Sequence, residues 1–187
     1  MFVQYFTFQL HGITNNIVHG KPDLFCAFLI YAASRPNTFS LVRSAEFRAP
    51  PERVFGQLND FKNWAAWSPW EEMDPSMQRS FTGAAAGKGA KYAWVGNKKV
   101  GEGNMEITRS VAASNIELDL NFLKPFKASN VTEFTLSPTQ NGTHVKWEMR
   151  GPLNLMMKVM HMFMNMDSMV GKDFEKGLSK LKTIVES

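Results

Sequence analysis

The alternation of apolar and polar side chains between residues 77 and 151 constrains this chain more than any other feature. Ile116, Leu118, Leu120 and Phe122 alternate with Glu117, Asp119 and Asn121, and Val145, Trp147 and Met149 alternate with Lys146, Glu148 and Arg150. A period of two sends successive side chains to opposite faces of a strand, so one face of each segment is buried and the other is wet. Six strand-like segments follow one another here: 77–83, 89–96, 101–112, 115–123, 129–138 and 143–151. Turn residues separate them, including Gly96-Asn97 and Asn141-Gly142, dipeptides that favour hairpins. An antiparallel sheet with one dry face follows.

What flanks these segments completes the architecture. Residues 39 to 50, "FSLVRSAEFRAP", read as a first strand closed by Pro50-Pro51. The next stretch places proline at a helix start and apolar residues at Val54, Phe55, Leu58 and Phe61. That spacing continues through Trp64 and Trp67, so a second short helix begins near Asp60. Ser68-Pro69 ends it, because the residue before a proline avoids helical geometry, and Trp70 falls in a loop beside Glu71 and Glu72. At the far end, Leu153, Met156, Met160, Phe163, Asp167, Val170, Phe174, Leu178, Leu181 and Val185 recur at intervals of three and four, one face of a helix. The expected fold is α+β: a curved seven-stranded antiparallel sheet wrapped around a long C-terminal helix, with two short helices after strand 1. A gap between sheet and helix, where the short helices meet the sheet edge, is the candidate site.

Asp167 interrupts the apolar stripe. Either the helix breaks near Asn165 to Ser168 and Asp167 caps the second piece, or its carboxylate points into the cavity. In the second case it is a polar anchor or a base with a raised pKa, the one catalytic candidate the residues offer. Three tryptophans lie within seven positions, Trp64, Trp67 and Trp70. Trp64 packs against the sheet edge, whereas Trp67 and Trp70 close the pocket's mouth. Tyr92, Trp94, Leu118, Trp147 and Met149 read either as plain core or as pocket lining from the strands, and as lining the tyrosine and tryptophans each add one polar handle. Met160, Phe163 and Phe174 line it from the helical stripe. Eight of the twelve methionines lie between Met149 and Met169, where flexible thioethers fill an irregular core or form a deformable wall.

Several chemistries are not supported. The net charge is +4, but the lysines are scattered and the longest basic run is Lys98-Lys99, so no nucleic-acid partner is expected. "GAAAGKG" (83–89) mimics a phosphate loop, yet it is one residue short between Gly83 and Gly87 and ends in Gly89 where serine or threonine should bind magnesium. His11, His19, His144 and His161 show no metal-ligand spacing, and no G-x-S-x-G occurs. No metal or cofactor is expected, and nothing in the chain specifies an oligomeric state. Cys26, the single cysteine, excludes an intrachain disulfide, fits a reducing compartment and reads as inert within its apolar run.

The first 42 residues hold only three charged side chains, Lys21, Asp23 and Arg35. They include the apolar run "LFCAFLIYAA" (24–33), too short to span a bilayer, which takes about 20 residues. It reads as a buried helix or strand, as a shortened membrane anchor or as an over-long start; a cytoplasmic chain is expected, with residues 24–33 as its route to a membrane.

Residues 39 to 186 resemble a known family. The order of elements, with "PPERVFGQLNDFKNWAAWSPW", "GKGAKYAWVGNKKVGEGNMEIT" and "DFEKGLSKLKTIVE", is similar to the polyketide cyclase/dehydrase branch of the START-like helix-grip superfamily, also called SRPBCC proteins. On this resemblance residues 1–38 are an extension and 39–187 the helix-grip domain. Similar proteins often carry a hydrophobic N-terminal anchor just before the first strand, where "LFCAFLIYAASRP" sits. The resemblance implies a cavity for an apolar ligand but no single reaction, since members include binders, lipid carriers, cyclases and partners of other proteins. Three functions are expected in order: reversible binding of an apolar small molecule, lipid or polyketide-like; cyclisation or dehydration of a carbonyl compound by Asp167 or a tyrosine; and a protein-interaction module with a filled cavity.

Overall fold

The computed structural model describes residues 22–163 and 165–187. The part of the N-terminal extension before residue 22 lies outside the described residues, as does the side chain of Leu24 at the start of the apolar run. In chain order come helix α1 (Pro22–Ser34), strand β1 (Thr38–Phe47), helix α2 (Pro51–Leu58), a 3₁₀ helix (Phe61–Ala66) and helix α3 (Pro69–Met73). Strands β2 (Gln78–Gly83), β3 (Ala90–Val95), β4 (Glu102–Val111), β5 (Asn115–Lys124), β6 (Ala128–Thr139) and β7 (Gly142–Pro152) follow, then helices α4 (Leu155–Phe163) and α5 (Met166–Glu186).

The seven strands form one antiparallel sheet in the order β1-β7-β6-β5-β4-β3-β2. Strands β2 to β7 meander, each joined to its neighbour by a turn, and β1 closes the far edge by pairing with β7. Alternation decides the faces. Ile116, Leu118, Phe134, Leu136, Val145, Trp147 and Met149 point inward and are buried. The outer face carries charge: Arg150 spans three strands, donating to Glu133 and Glu117 at 2.9 Å each. Helix α5 lies against the inner face and buries Phe174, Leu178, Leu181 and Val185. Each such apolar side chain contributes roughly 1.5–3 kcal/mol on removal from water, so this stripe is what holds the helix in the grip of the sheet.

The connection between β1 and β2 differs in one respect from the sequence expectation. Asp60 caps the 3₁₀ helix by accepting from the Lys62 amide at 2.9 Å, as anticipated for a helix starting there. Pro69, however, opens a further short helix, so Trp70 is helical and not in a loop. The reason is local: proline's missing N–H costs nothing at a first helical position, and Ser68 before it is extended (ψ 126°) as proline requires.

The C-terminal stripe is divided. Helix α4 ends at Phe163, and α5 is capped by Asn165, whose side chain accepts from the Ser168 amide at 3.0 Å. Asn165 and not Asp167 is therefore the cap. Instead of continuing α5, α4 pairs with α1: Phe28 and Phe163 lie 6.0 Å apart, and the buried Lys158 donates to Ala33 O at 2.9 Å and Asn37 Oδ1 at 2.6 Å. Residues 24–33 thus form a helix with Ala32 fully buried, while Phe25, Ile30 and Tyr31 stay exposed. Among the described residues, no helix is long and apolar enough to cross a membrane.

Candidate functional site

A file of aromatic rings runs across the inner face between the sheet and the helices. At its centre Phe174 stacks on Trp147 with centroids 3.9 Å apart and planes at 11°. Trp70 sets its edge against both rings, at 6.0 and 6.2 Å. Trp67 meets Trp147 edge-on at 5.7 Å, and Trp64 packs on Trp67 at 4.8 Å. The file continues from Trp64 to Phe61, then to Tyr92, Trp94 and Phe122, each step 5.2 to 6.0 Å. Two glycines make room. Gly177 on α5 stands where a Cβ would come within 3.0 Å of Trp147, and Gly103 on β4 lies under the Trp94 ring, 2.4 Å from where its own Cβ would be.

The structure thus brings Trp67, Trp70, Tyr92, Trp94, Trp147 and Phe174 together. Leu118 and Met149 belong to the same buried face, flanking Thr132 in the strand register. Met160 and Phe163 stand apart on α4, where Phe163 is largely exposed against α1. Asp167 also stands apart. Its carboxylate is 68% exposed and paired with Arg43 at 2.9 Å, and that guanidinium holds the carboxyl below its usual range. Gly171 leaves the slot in which the Arg43 guanidinium sits. The raised pKa that a buried base would need is found instead at Asp173, beside Phe174, where burial pushes the carboxyl up and Lys176 only partly offsets it.

Polar groups in the file divide sharply. Trp64 Nε1 donates to Leu58 O at 3.0 Å and Trp94 Nε1 to Val100 O at 3.2 Å. Trp67 Nε1, Trp147 Nε1 and Thr132 Oγ1 are buried with no hydrogen-bond partner among the described residues. An unpaired buried donor costs about 1–3 kcal/mol, so two indole N–H groups left open on touching rings call for an acceptor. Tyr92 is differently placed: its hydroxyl donates to Glu71 Oε1 at 2.9 Å, and Arg79 Nε donates to Glu71 Oε2 at 2.7 Å. Burial first, and the Glu71 charge second, push the Tyr92 phenol well above its ordinary pKa. Glu72, one residue on, accepts from Lys176 and Lys180, pinning α3 to α5.

Two concave regions lie outside the file. One of 360 Å³ lies between Arg48–Pro51 and the β6–β7 turn, and one of 200 Å³ lies between the 3₁₀ helix and the β2–β3 loop. The second touches the file at Phe61, but no residue of α5 lines it, so it is not the gap between sheet and C-terminal helix expected from the sequence. Among the described residues, no group of three or more His, Cys, Asp or Glu side chains is arranged to hold a metal ion.

A seven-stranded antiparallel sheet closed on a C-terminal helix, with short helices after its first strand and an aromatic interior, defines the START-like helix-grip class. The sequence profile described as polyketide cyclase/dehydrase and lipid transport matches residues 38–186, and the chain belongs to that family. Solved structures share the fold. A Chromobacterium violaceum protein superposes with a TM-score of 0.57 at 20% identity, covering 81% of this chain and 99% of its own. A Mesorhizobium loti protein gives 0.57 at 18%, covering 78% and 95%, and a Rhizobium leguminosarum protein gives 0.58 at 15%, covering 80% and 95%. At these identities the similarity concerns the fold alone. No curated protein is significantly similar in sequence.

Proposed function

We propose that the domain formed by residues 39–187 reversibly binds an apolar small molecule, lipid or polyketide-like, that carries a hydrogen-bond acceptor such as a carbonyl. The observation that carries this reading is the pair of orphaned indole donors, Trp67 Nε1 and Trp147 Nε1, with the Thr132 hydroxyl orphaned on the same buried face. Apolar walls from Trp70, Tyr92, Trp94, Leu118, Met149 and Phe174 would supply affinity at about 25 cal/mol per Å² buried, and the two donors would orient the acceptor. The α4 residues Met160 and Phe163 would act as a movable flank. The family description, cyclase/dehydrase and lipid transport, is consistent with binding as the shared property. Proton transfer is the weaker alternative, because Tyr92 is held protonated and Asp167 is held as an ion pair.

The test replaces Trp147 with phenylalanine, which exchanges the indole for a smaller aromatic ring that has no donor. The smaller ring leaves a cavity beside Phe174 and Phe134, so stability falls by about 1–3 kcal/mol and affinity is read on the protein that remains folded. Affinity for a carbonyl-bearing ligand, identified by native mass spectrometry and denaturing extraction of the purified protein, falls about tenfold. Unchanged affinity in both Trp147→Phe and Trp67→Phe overturns the reading.

A second reading concerns residues 1–38, which we take as an extension serving association with a lipid surface. It is favoured by one observation: six of the eleven large apolar side chains exposed in the described residues sit on α1 and α4 (Phe25, Ile30, Tyr31, Leu155, Met156 and Phe163). Co-sedimentation with phosphatidylcholine vesicles that drops in Ile30→Glu supports it, and identical partitioning of the two proteins refutes it.

A further inference from the structure

The β2–β3 loop, "GAAAGKG", has no part in the reading above. Three of its amides are spent on carbonyls: Ala84 N donates to Gly89 O at 3.0 Å, Gly87 N to Asn59 O at 2.8 Å, and Gly89 N to Ile107 O at 2.8 Å. That leaves them unable to cradle a phosphate. The same bonds make the loop a fixed wall tied to the end of α2 and to β4. Gly83 enforces its shape, with φ +74° and a position where a Cβ would lie 2.2 Å from Gly89 O.

This wall and the 3₁₀ helix flank a half-open concave pocket of about 200 Å³. Its floor is apolar, from Phe61, Phe81, Ala84 and Ala90, and its rim carries Asp60, Lys62 and Lys91. Phe81 keeps 42% of its surface in water although it already packs on Tyr92 at 5.2 Å, so a second ring face is available. The rim charges are unequally engaged. The Asp60 carboxylate is used in capping the Lys62 amide, and the Lys91 ammonium pairs with Glu106 at 3.1 Å. The Lys62 ammonium has no carboxylate partner among the described residues.

We propose that this pocket is a ligand site in its own right, separate from the Trp67–Trp147 interior, and that it takes a small aromatic carboxylate. The ring lies on the Phe61–Phe81 floor and the carboxylate reaches the Lys62 ammonium. Aromatic packing provides most of the affinity, while the ammonium selects the acid over its neutral isostere. The volume admits an aromatic ring.

The experiment titrates the full chain with phenylacetate and, separately, with neutral phenylacetamide, following backbone amide and indole N–H signals by NMR. Wild type, Lys62→Gln and Phe81→Ala are compared. Saturable phenylacetate shifts clustered on residues 60–62, 81–85 and 90–91 are expected. Lys62→Gln weakens phenylacetate about three- to fivefold and leaves phenylacetamide unchanged. Phe81→Ala weakens both. Shifts confined to the Trp67 and Trp147 indole signals would overturn the pocket while supporting the interior site. Equal affinity of wild type and Lys62→Gln for the acid, or no saturable shift by about 20 mM, overturns it outright. The indole and loop signals are independent reporters, so failure of one site is distinguishable from failure of the other.

Discussion

Replacing Phe174 with alanine removes the ring through which α5 rests on the sheet. That ring is fully buried, stacks on Trp147 at 3.9 Å and receives the edge of Trp70 at 6.2 Å. Truncating a core phenylalanine costs about 3–5 kcal/mol for lost transfer and the cavity left behind. Loss of the stacked pair adds about 0.5–1.5 kcal/mol. Collapse of the hole is hindered because Trp147 is wedged between Phe134 at 4.9 Å and Trp67 at 5.7 Å, so it cannot swing into the space. The expected loss is therefore about 4–5 kcal/mol, a large part of the roughly 5–15 kcal/mol a domain possesses. For a chain of this length that lowers the melting temperature by about 10–20 °C. Urea unfolding followed by tryptophan fluorescence measures it, with an unchanged slope expected. Phe163→Ala, removing a ring 52% exposed on α4, is the control and should cost about 1 kcal/mol or less. A loss below about 2 kcal/mol for Phe174→Ala, or losses of equal size in the two variants, would refute the claim that α5 is held by this stack.

Other expectations follow from the same packing. Gly103→Val puts a Cβ 2.4 Å from Trp94 and 2.5 Å from Asn121 O, so Trp94 must leave its seat. The variant should lose about 1–3 kcal/mol with red-shifted fluorescence, and unchanged emission would count against this account of the glycine. Glu72 is held down to about 2 from its ordinary 4.5, first by its hydrogen bond from Lys176 and then by that from Lys180. Because the folded pKa is depressed, its stabilisation is present above pH 4.5 and is lost as pH falls toward 2. Glu72→Gln should flatten the acid limb of the stability curve in that window, and parallel curves would show that the bridge does nothing. At neutral pH the same variant should cost little, since the site is exposed and screened by salt.

The sheet was legible because its alternation is a strong, local signal: Ile116, Leu118, Val145, Trp147 and Met149 are buried as the period of two requires. The tail was only partly legible. A stripe at intervals of three and four runs through both α4 and α5, and periodicity alone does not tell which partner a stripe faces. The break at Asn165 sends α4 toward α1, and α1 sits in a segment whose uniform apolarity has no face to read. That is why Met160 and Phe163 stand away from the aromatic file. Trp70 shows the same limit on a smaller scale, since a proline that ends one helix can begin the next. The pairing of Asp167 with Arg43 joins residues 124 positions apart, a distance over which sequence pattern carries no information. The outer pocket was not legible in the sequence, because Phe61 and Lys62 meet Phe81 and Ala84 only once the β2–β3 loop has folded back.

The buried Lys158 bears on where this domain can be cut. The family match begins at residue 38, which makes a start at β1 the obvious choice for a shortened protein. Yet the acceptors of the Lys158 ammonium, Ala33 O and Asn37 Oδ1, both lie before that point. A protein trimmed to the shared boundary would carry a cation stripped of its acceptors, forcing α4 to open toward water. The Lys158 contacts thus tie residues 33 and 37 to α4, ahead of the boundary at which the family match begins.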